Sequence, residues 1–177
     1  MKRTLLISLF ALAGLVASAQ TNETKNARVH AFVGSLNGIE WGNEYGYFGG
    51  GFGLSAGMGK HWALNTEFGF YGRDIKNGSG YIDRNVFDMR GSVDFYFSRA
   101  FRGFYVGAFM GYTNVKSTVY EGANPIASPN SFVPMGFQLG FSAPITNRLD
   151  LNLKTAVGSQ PGGPGALTFN AGIGYRF

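Results

Sequence analysis

The chain has 177 residues, a formal charge of +5 and no cysteine. That size admits one domain with an address segment, and the missing thiols exclude disulfides, thiolate metal sites and a lipid-modified N-terminal cysteine. With 28 glycines and 17 phenylalanines but only 14% charged residues, the apolar content must form either an ordinary core or a surface that faces lipid.

The first element is an address. Lys2 and Arg3 form a positive n-region, LLISLFALAGLVA an apolar run, and Ala17-Ser18-Ala19 a small-residue cleavage site. This is the pattern of a secretory signal peptide over residues 1–19, leaving a domain of residues 20–177. The run is too short for a spanning helix, which needs ~20 apolar residues. Removing Lys2 and Arg3 from 15 bases leaves 13 against 10 acids, or +3. The basic pI is therefore no argument for nucleic acid, and none is expected as a partner.

After the signal the chain alternates with period two, the signature of half-polar strands. Val29, Ala31 and Val33 oppose Arg28, His30 and Phe32. Phe52, Leu54, Ala56 and Met58 oppose Gly51, Gly53, Ser55 and Gly57. Leu64, Thr66, Phe68 and Phe70 oppose Asn65, Glu67, Gly69 and Tyr71; Phe87, Met89 and Val93 oppose Asp88, Arg90 and Asp94. Phe104, Val106 and Met110 oppose Tyr105, Gly107 and Phe109, and Phe137, Leu139 and Phe141 oppose Gln138, Gly140 and Ser142. Leu149, Leu151 and Leu153 oppose Asp150, Asn152 and Lys154. Eight such segments fall near residues 26–36, 46–59, 62–72, 85–98, 103–113, 132–143, 149–158 and 167–177. Most have the ~9–11 residues of a tilted transmembrane strand.

The glycine-rich FGGGFGLSAGMGK, residues 48–60, invites a phosphate-loop reading because Gly51, Gly53 and Ala56 fit a loose dinucleotide fingerprint. A dinucleotide site needs a helix to follow, and nothing after these glycines reads as one. Their spacing is that of a strand, with a glycine-lined face that admits bulky side chains from opposite strands. No cofactor or metal is expected, the only histidines being His30 and His61.

Connections alternate between short turns (59–62, 98–103, 143–148) and longer Gly/Asn/Ser/Pro-rich loops (37–45, 73–84, 114–131, 159–166). This is the organisation of an outer-membrane barrel, which puts the long loops outside. The alternative is a soluble lipocalin-like barrel with its apolar face inward. The polar face is the one built from small residues and paired charges, and an eight-stranded interior holds little more than its own side chains. Large Leu, Phe and Met therefore belong outside, on lipid. The expected fold is an all-β, eight-stranded antiparallel up-and-down transmembrane β-barrel.

Antiparallel neighbours bring same-face residues close together. If the 73–84 and 159–166 loops close in register, Glu67 faces Arg90 and Asp150 faces Arg176. Two cross-strand ion pairs, Glu67–Arg90 and Asp150–Arg176, are expected to fill the lumen.

The last residues, NAGIGYRF, give Asn170, Gly172, Tyr175 and a terminal Phe177. This resembles the C-terminal signal by which bacterial outer-membrane barrels are recognised for assembly. With the strands, it makes the chain resemble the small OmpA/OmpX-type, porin-family barrels of Gram-negative bacteria, with no peptidoglycan-binding domain expected after the last strand. The resemblance implies an integral outer-membrane monomer in contact with outer-membrane lipid and the barrel-assembly machinery. It implies a structural or surface-interaction role, with an extracellular partner met through the long loops, notably VYEGANPIASPNS at 119–131. Some barrels of this size act on lipid A through His and Ser, but neither His30 nor His61 has a serine two residues on, so no enzyme is expected. A narrow channel is the other alternative; open lumens belong to barrels of ~16 strands or more.

Overall fold

The computed structural model describes residues 27–40, 43–77, 80–120, 126–160 and 163–177. The expected signal peptide lies outside them. The strands are β1 (Ala27–Glu40), β2 (Asn43–Met58), β3 (Trp62–Asn77), β4 (Gly80–Tyr96), β5 (Gly103–Tyr120), β6 (Ile126–Phe132), β7 (Met135–Pro144), β8 (Leu149–Gln160) and β9 (Gly163–Arg176).

All the pairings are antiparallel, and β1 pairs with β9 to close the ring from Arg28↔Arg176 to Gly38↔Ala166. The Phe177 amide donates to the Ala27 carbonyl at 3.0 Å, so the described end of the chain seals the seam. Although nine strands are present, the ring is eight wide. β6 and β7 both pair with β5 in one unbroken register, Thr113 facing Phe132 and Met110 facing Met135. They are one barrel strand interrupted at Val133-Pro134. Proline has no N–H for the ladder, but its carbonyl still accepts from the Gly111 amide at 2.9 Å.

The alternation seen in the sequence sorts the faces as expected. Phe48 and Phe137 are 75% and 76% exposed, whereas their neighbours Tyr47 and Gln138 are buried. Polar side chains such as Arg28, Asn65, Asp88, Asp94, Asp150 and Lys154 are buried instead. The apolar face is thus outside, which is the polarity of a membrane barrel and the reverse of a lipocalin.

The glycines permit this packing. A Cβ on Gly140 would lie 2.2 Å from Cζ of Tyr105, and one on Gly51 would lie 2.7 Å from Cζ of Phe32. Large rings on one strand therefore fill the space left by glycine on another.

One expectation is corrected. Within the stretches at 37–45, 73–84, 114–131 and 159–166, most of the described residues are strand, not irregular loop. The ladders run on to Glu40↔Asn43, Asn77↔Gly80, Val119↔Ile126 and Gln160↔Gly163. Their Gly, Asn and Ser content disfavours strand locally, but pairing with an established neighbour overrides so weak a preference.

The outward face generates a test. Near the bilayer midplane, Leu139→Arg is expected to cost ~2–4 kcal/mol of folding free energy in vesicles. A fluorophore on a cysteine at 139 should be quenched by lipid-borne quenchers and one at 138 spared. The reverse would place the polar face on lipid.

Candidate functional site

The interior is the site that the chain builds with most of its polar residues. It is filled in layers, beginning at the end with the short turns.

The first layer is a cork. In the β4–β5 turn, Phe101 turns into the barrel mouth and is completely buried. Its φ of 63° lies in the left-handed region that a side chain as bulky as phenylalanine seldom adopts. What holds it there is packing and hydrogen bonding. The ring stands edge-on to Tyr96 at 5.8 Å, the Arg28 guanidinium lies over it at 4.7 Å, and its carbonyl accepts from Ser142 Oγ at 3.0 Å. Ala63, Tyr96, Ala100 and Tyr105 complete this apolar cluster.

Above the cork lies a charged network. Asp150, with no exposed surface, meets Arg28 Nη1 at 3.1 Å and Arg176 Nε at 3.2 Å. The Arg28 contact is a hydrogen bond; the Arg176 contact is ionic without hydrogen-bond alignment. Next, Asp94 accepts from Asn65 Nδ2 at 2.8 Å and from Gln138 Nε2. Glu67 then takes Lys154 on one carboxylate oxygen and His30 Nε2, at 3.1 Å, on the other. Arg90 Nε lies 2.6 Å from Asp88, and its Nη1 donates to Thr168 at 3.1 Å. A second apolar cluster, Phe32, Leu36, Tyr47, Tyr71 and Val86, closes the far side.

These charges balance. Arg28, Arg90, Lys154 and Arg176 supply four positive charges, and Glu67, Asp88, Asp94 and Asp150 four negative ones. In a narrow interior an unmatched charge would lose hydration that nothing replaces.

The predicted pairs fare differently. Glu67 does stand in register with Arg90, but the two do not form the expected salt bridge. Arg90 is taken by Asp88 two residues along its own strand and face. Glu67 reaches Lys154 instead, and β3 and β8 are on opposite sides of the ring, four strands apart either way. That bridge crosses the lumen. Asp150 and Arg176 are in contact, although their register differs from the expected one. Asp150 faces Gly174, because the β8–β9 ladder extends to Gln160↔Gly163 and slides by two residues. Arg176 therefore reaches Asp150 diagonally.

Strand alternation placed Arg28, His30, Asp88, Asp94 and Lys154 on the polar face without their partners, most of which lie on other strands, and it gave Phe101 no role in filling the lumen. Nothing in SRAFR (98–102) marks Phe101 as an inward plug.

At the terminal segment, Asn170 is buried in the lumen and Gly172 faces Phe32 on β1 and Asn152 on β8. Tyr175 and Phe177 point outward with ring centroids 5.3 Å apart, and Tyr175 Oη accepts from Arg148 Nη1 at 3.1 Å. Among the described residues, no three His, Cys, Asp or Glu side chains are arranged to hold a metal ion.

No protein-family model and no curated protein matches the sequence. Solved structures do match. The Yersinia pestis attachment invasion locus protein Ail is similar to the chain with a TM-score of 0.67 at 12% identity, over 87% of this chain and 100% of Ail. Neisserial surface protein A gives 0.64 at 13% identity, over 85% of this chain and 97% of its own. The N-terminal β-barrel domain of Pseudomonas aeruginosa OprF gives 0.54 at 12%, over 88% and 100%. The fold is that of the small eight-stranded outer-membrane β-barrels. At such identities the shared feature is the architecture, and the layered interior is argued from this chain's own residues.

The cross-lumen bridge is testable by a double-mutant cycle. Glu67→Leu leaves Lys154 buried without its carboxylate and should cost ~3–5 kcal/mol, whereas E67L/K154M should recover most of that loss. Equilibrium unfolding in lipid vesicles measures both. Equal losses for the single and double variants would deny the bridge.

Proposed function

We propose that the protein is an integral outer-membrane barrel whose filled interior makes it a rigid mount for a cell-surface interaction platform. The observation that carries this reading is the behaviour of the long hairpins. On β5 the outward face turns polar after Tyr112, at Asn114, Lys116 and Thr118, yet the strand continues to Tyr120, paired with β4 as far as Tyr81 and with β6 as far as Ile126. At ~3.3 Å per residue, the Thr113–Tyr120 segment extends about 25 Å along the strand. The chain therefore raises ordered β-ribbon beyond its apolar band.

The ribbon also offers a binding edge. β8 ends at Gln160 while β5 and β6 run on, so β6 pairs with β5 alone among the described residues. An unpaired edge is a template for a partner's strand. Pro129 and the polar Asn130 and Ser131 temper it against indiscriminate pairing.

In this reading the long hairpins face outward and the short turns face the periplasm. The protein acts as a monomer without catalysis, and its His30 is enclosed with Glu67 in the lumen, away from lipid. Tyr175 and Phe177 are displayed on the outer face, where barrel-assembly machinery would recognise them. The names of the structural relatives, an attachment invasion locus protein and a neisserial surface protein, support a surface role; the former was crystallised with the heparin analogue sucrose octasulfate.

The test replaces residues 119–131 with a short Gly-Asn turn in the full-length protein on whole cells. The barrel should keep its heat-modifiable migration while binding of the cells to immobilised extracellular-matrix protein, the class of partner that an unpaired strand edge accepts, falls. Unchanged binding, equal to that of cells lacking the protein, would reduce the role to a structural barrel.

A further inference from the structure

The short-turn end carries a charge pattern that the filled lumen does not use. Lys60 lies in the β2–β3 turn, Arg99 and Arg102 in the β4–β5 turn, and Arg148 in the β7–β8 turn; all four are exposed. The turn segments 59–61, 97–102 and 145–148 contain no aspartate or glutamate. Among the described residues, the first acids along the flanking strands, Glu67, Asp94 and Asp150, are engaged inside the barrel. None of the four cations forms a salt bridge among the described residues. The opposite end differs, with Arg73, Asp74, Asp83 and Arg84 interleaved on facing strands.

The position of these cations identifies what they meet. An aromatic belt lines the β3–β4–β5–β7 side of the barrel just inside the turns, and Tyr175 and Phe177 continue it on β9. Trp62 packs on Phe95 at 5.0 Å, Phe95 on Phe97 at 5.7 Å, and Phe104 on Phe141 at 4.8 Å. Each cation is tied to that belt. Lys60 is two residues from Trp62, Arg99 two from Phe97 and Arg102 two from Phe104, while Arg148 donates to Tyr175. Belts of this kind sit at the headgroup level of a bilayer. Flexible basic side chains one step beyond them reach the lipid phosphates, with their aliphatic stems on the apolar surface.

We propose that this rim binds anionic phospholipid headgroups and enriches them around the barrel in the leaflet at its short-turn end. A zwitterionic headgroup carries its own ammonium and offers four clustered cations no net attraction. An anionic phosphodiester such as phosphatidylglycerol does. The proposal rests on the barrel being inserted in a membrane, and the test separates the two claims.

Trp62 stands in the belt beside Lys60, and the chain has only two tryptophans. In W41F it becomes the sole tryptophan of the chain, and excitation at the red edge of its absorption avoids the tyrosines. The folded full-length protein is placed in phosphatidylcholine vesicles containing, at equal mole fraction, either brominated phosphatidylglycerol or brominated phosphatidylcholine. At low salt the brominated phosphatidylglycerol should quench Trp62 roughly twofold more than its zwitterionic counterpart, and the excess should shrink at high salt. In W41F/K60Q/R99Q/R102Q/R148Q both lipids should quench alike, with heat-modifiable migration showing that the barrel still folds. Equal quenching in W41F itself, or an excess that survives the four substitutions, would overturn the proposal. Failure of both lipids to quench W41F would overturn the membrane reading beneath it as well.

Discussion

A ring of eight tilted strands encloses a space barely wider than its own side chains. The remaining features follow from that narrowness. Every inward residue must fit against residues from several other strands. Every inward charge must find an opposite charge or fixed hydrogen-bond donors, because so narrow an interior leaves little room for water to hydrate it. The four cations of the lumen meet this condition by pairing with Glu67, Asp88 and Asp150 along a strand, diagonally and across the diameter, while Asp94 is held by the amides of Asn65 and Gln138. Glycine answers the steric half of the problem where Tyr105 and Phe32 press against the facing backbone. The same demand admits Phe101 in a left-handed conformation, since the strain is offset by burying a whole aromatic ring at the mouth.

The two ends of the barrel diverge on this common frame. At the short-turn end the chain folds inward, with Phe101 capping the charged layers and bare cations left above an aromatic belt. At the other end it grows outward as paired ribbon, and one strand, β6, outruns its neighbour because the β8–β9 hairpin is shorter than the β5–β6 hairpin. A filled interior couples these ends only as a rigid body. The chemistry available to partners is therefore on the outside: lipid around the apolar band, headgroups at the basic rim, and a strand edge on the ribbon.

The architecture was legible because period-two alternation is local: reading Leu151 as outward and Asn152 as inward needs only their neighbours. Hairpin register was nearly as legible, and Glu67 does face Arg90. The pairing within the lumen was not, because it depends on the stagger and tilt of the closed ring. No local rule brings Lys154 on β8 to Glu67 on β3, and a same-strand neighbour, Asp88, competes for Arg90. The ribbons were hidden for a different reason. Residues such as Asn77 and Gly80 have turn chemistry, and only an established ladder beneath them keeps them extended. Phe101 was hidden because a short turn of mixed residues gives no sign of which side chain folds inward.

The central claim is that the interior is closed, and electrical recording tests it most directly. The refolded full-length barrel, inserted into a planar lipid bilayer and confirmed as folded by its migration before heating, should show no steady conductance across a range of applied voltage. A steady ohmic current carried by the folded wild-type protein would contradict the layered plug and return the lumen to the status of a channel.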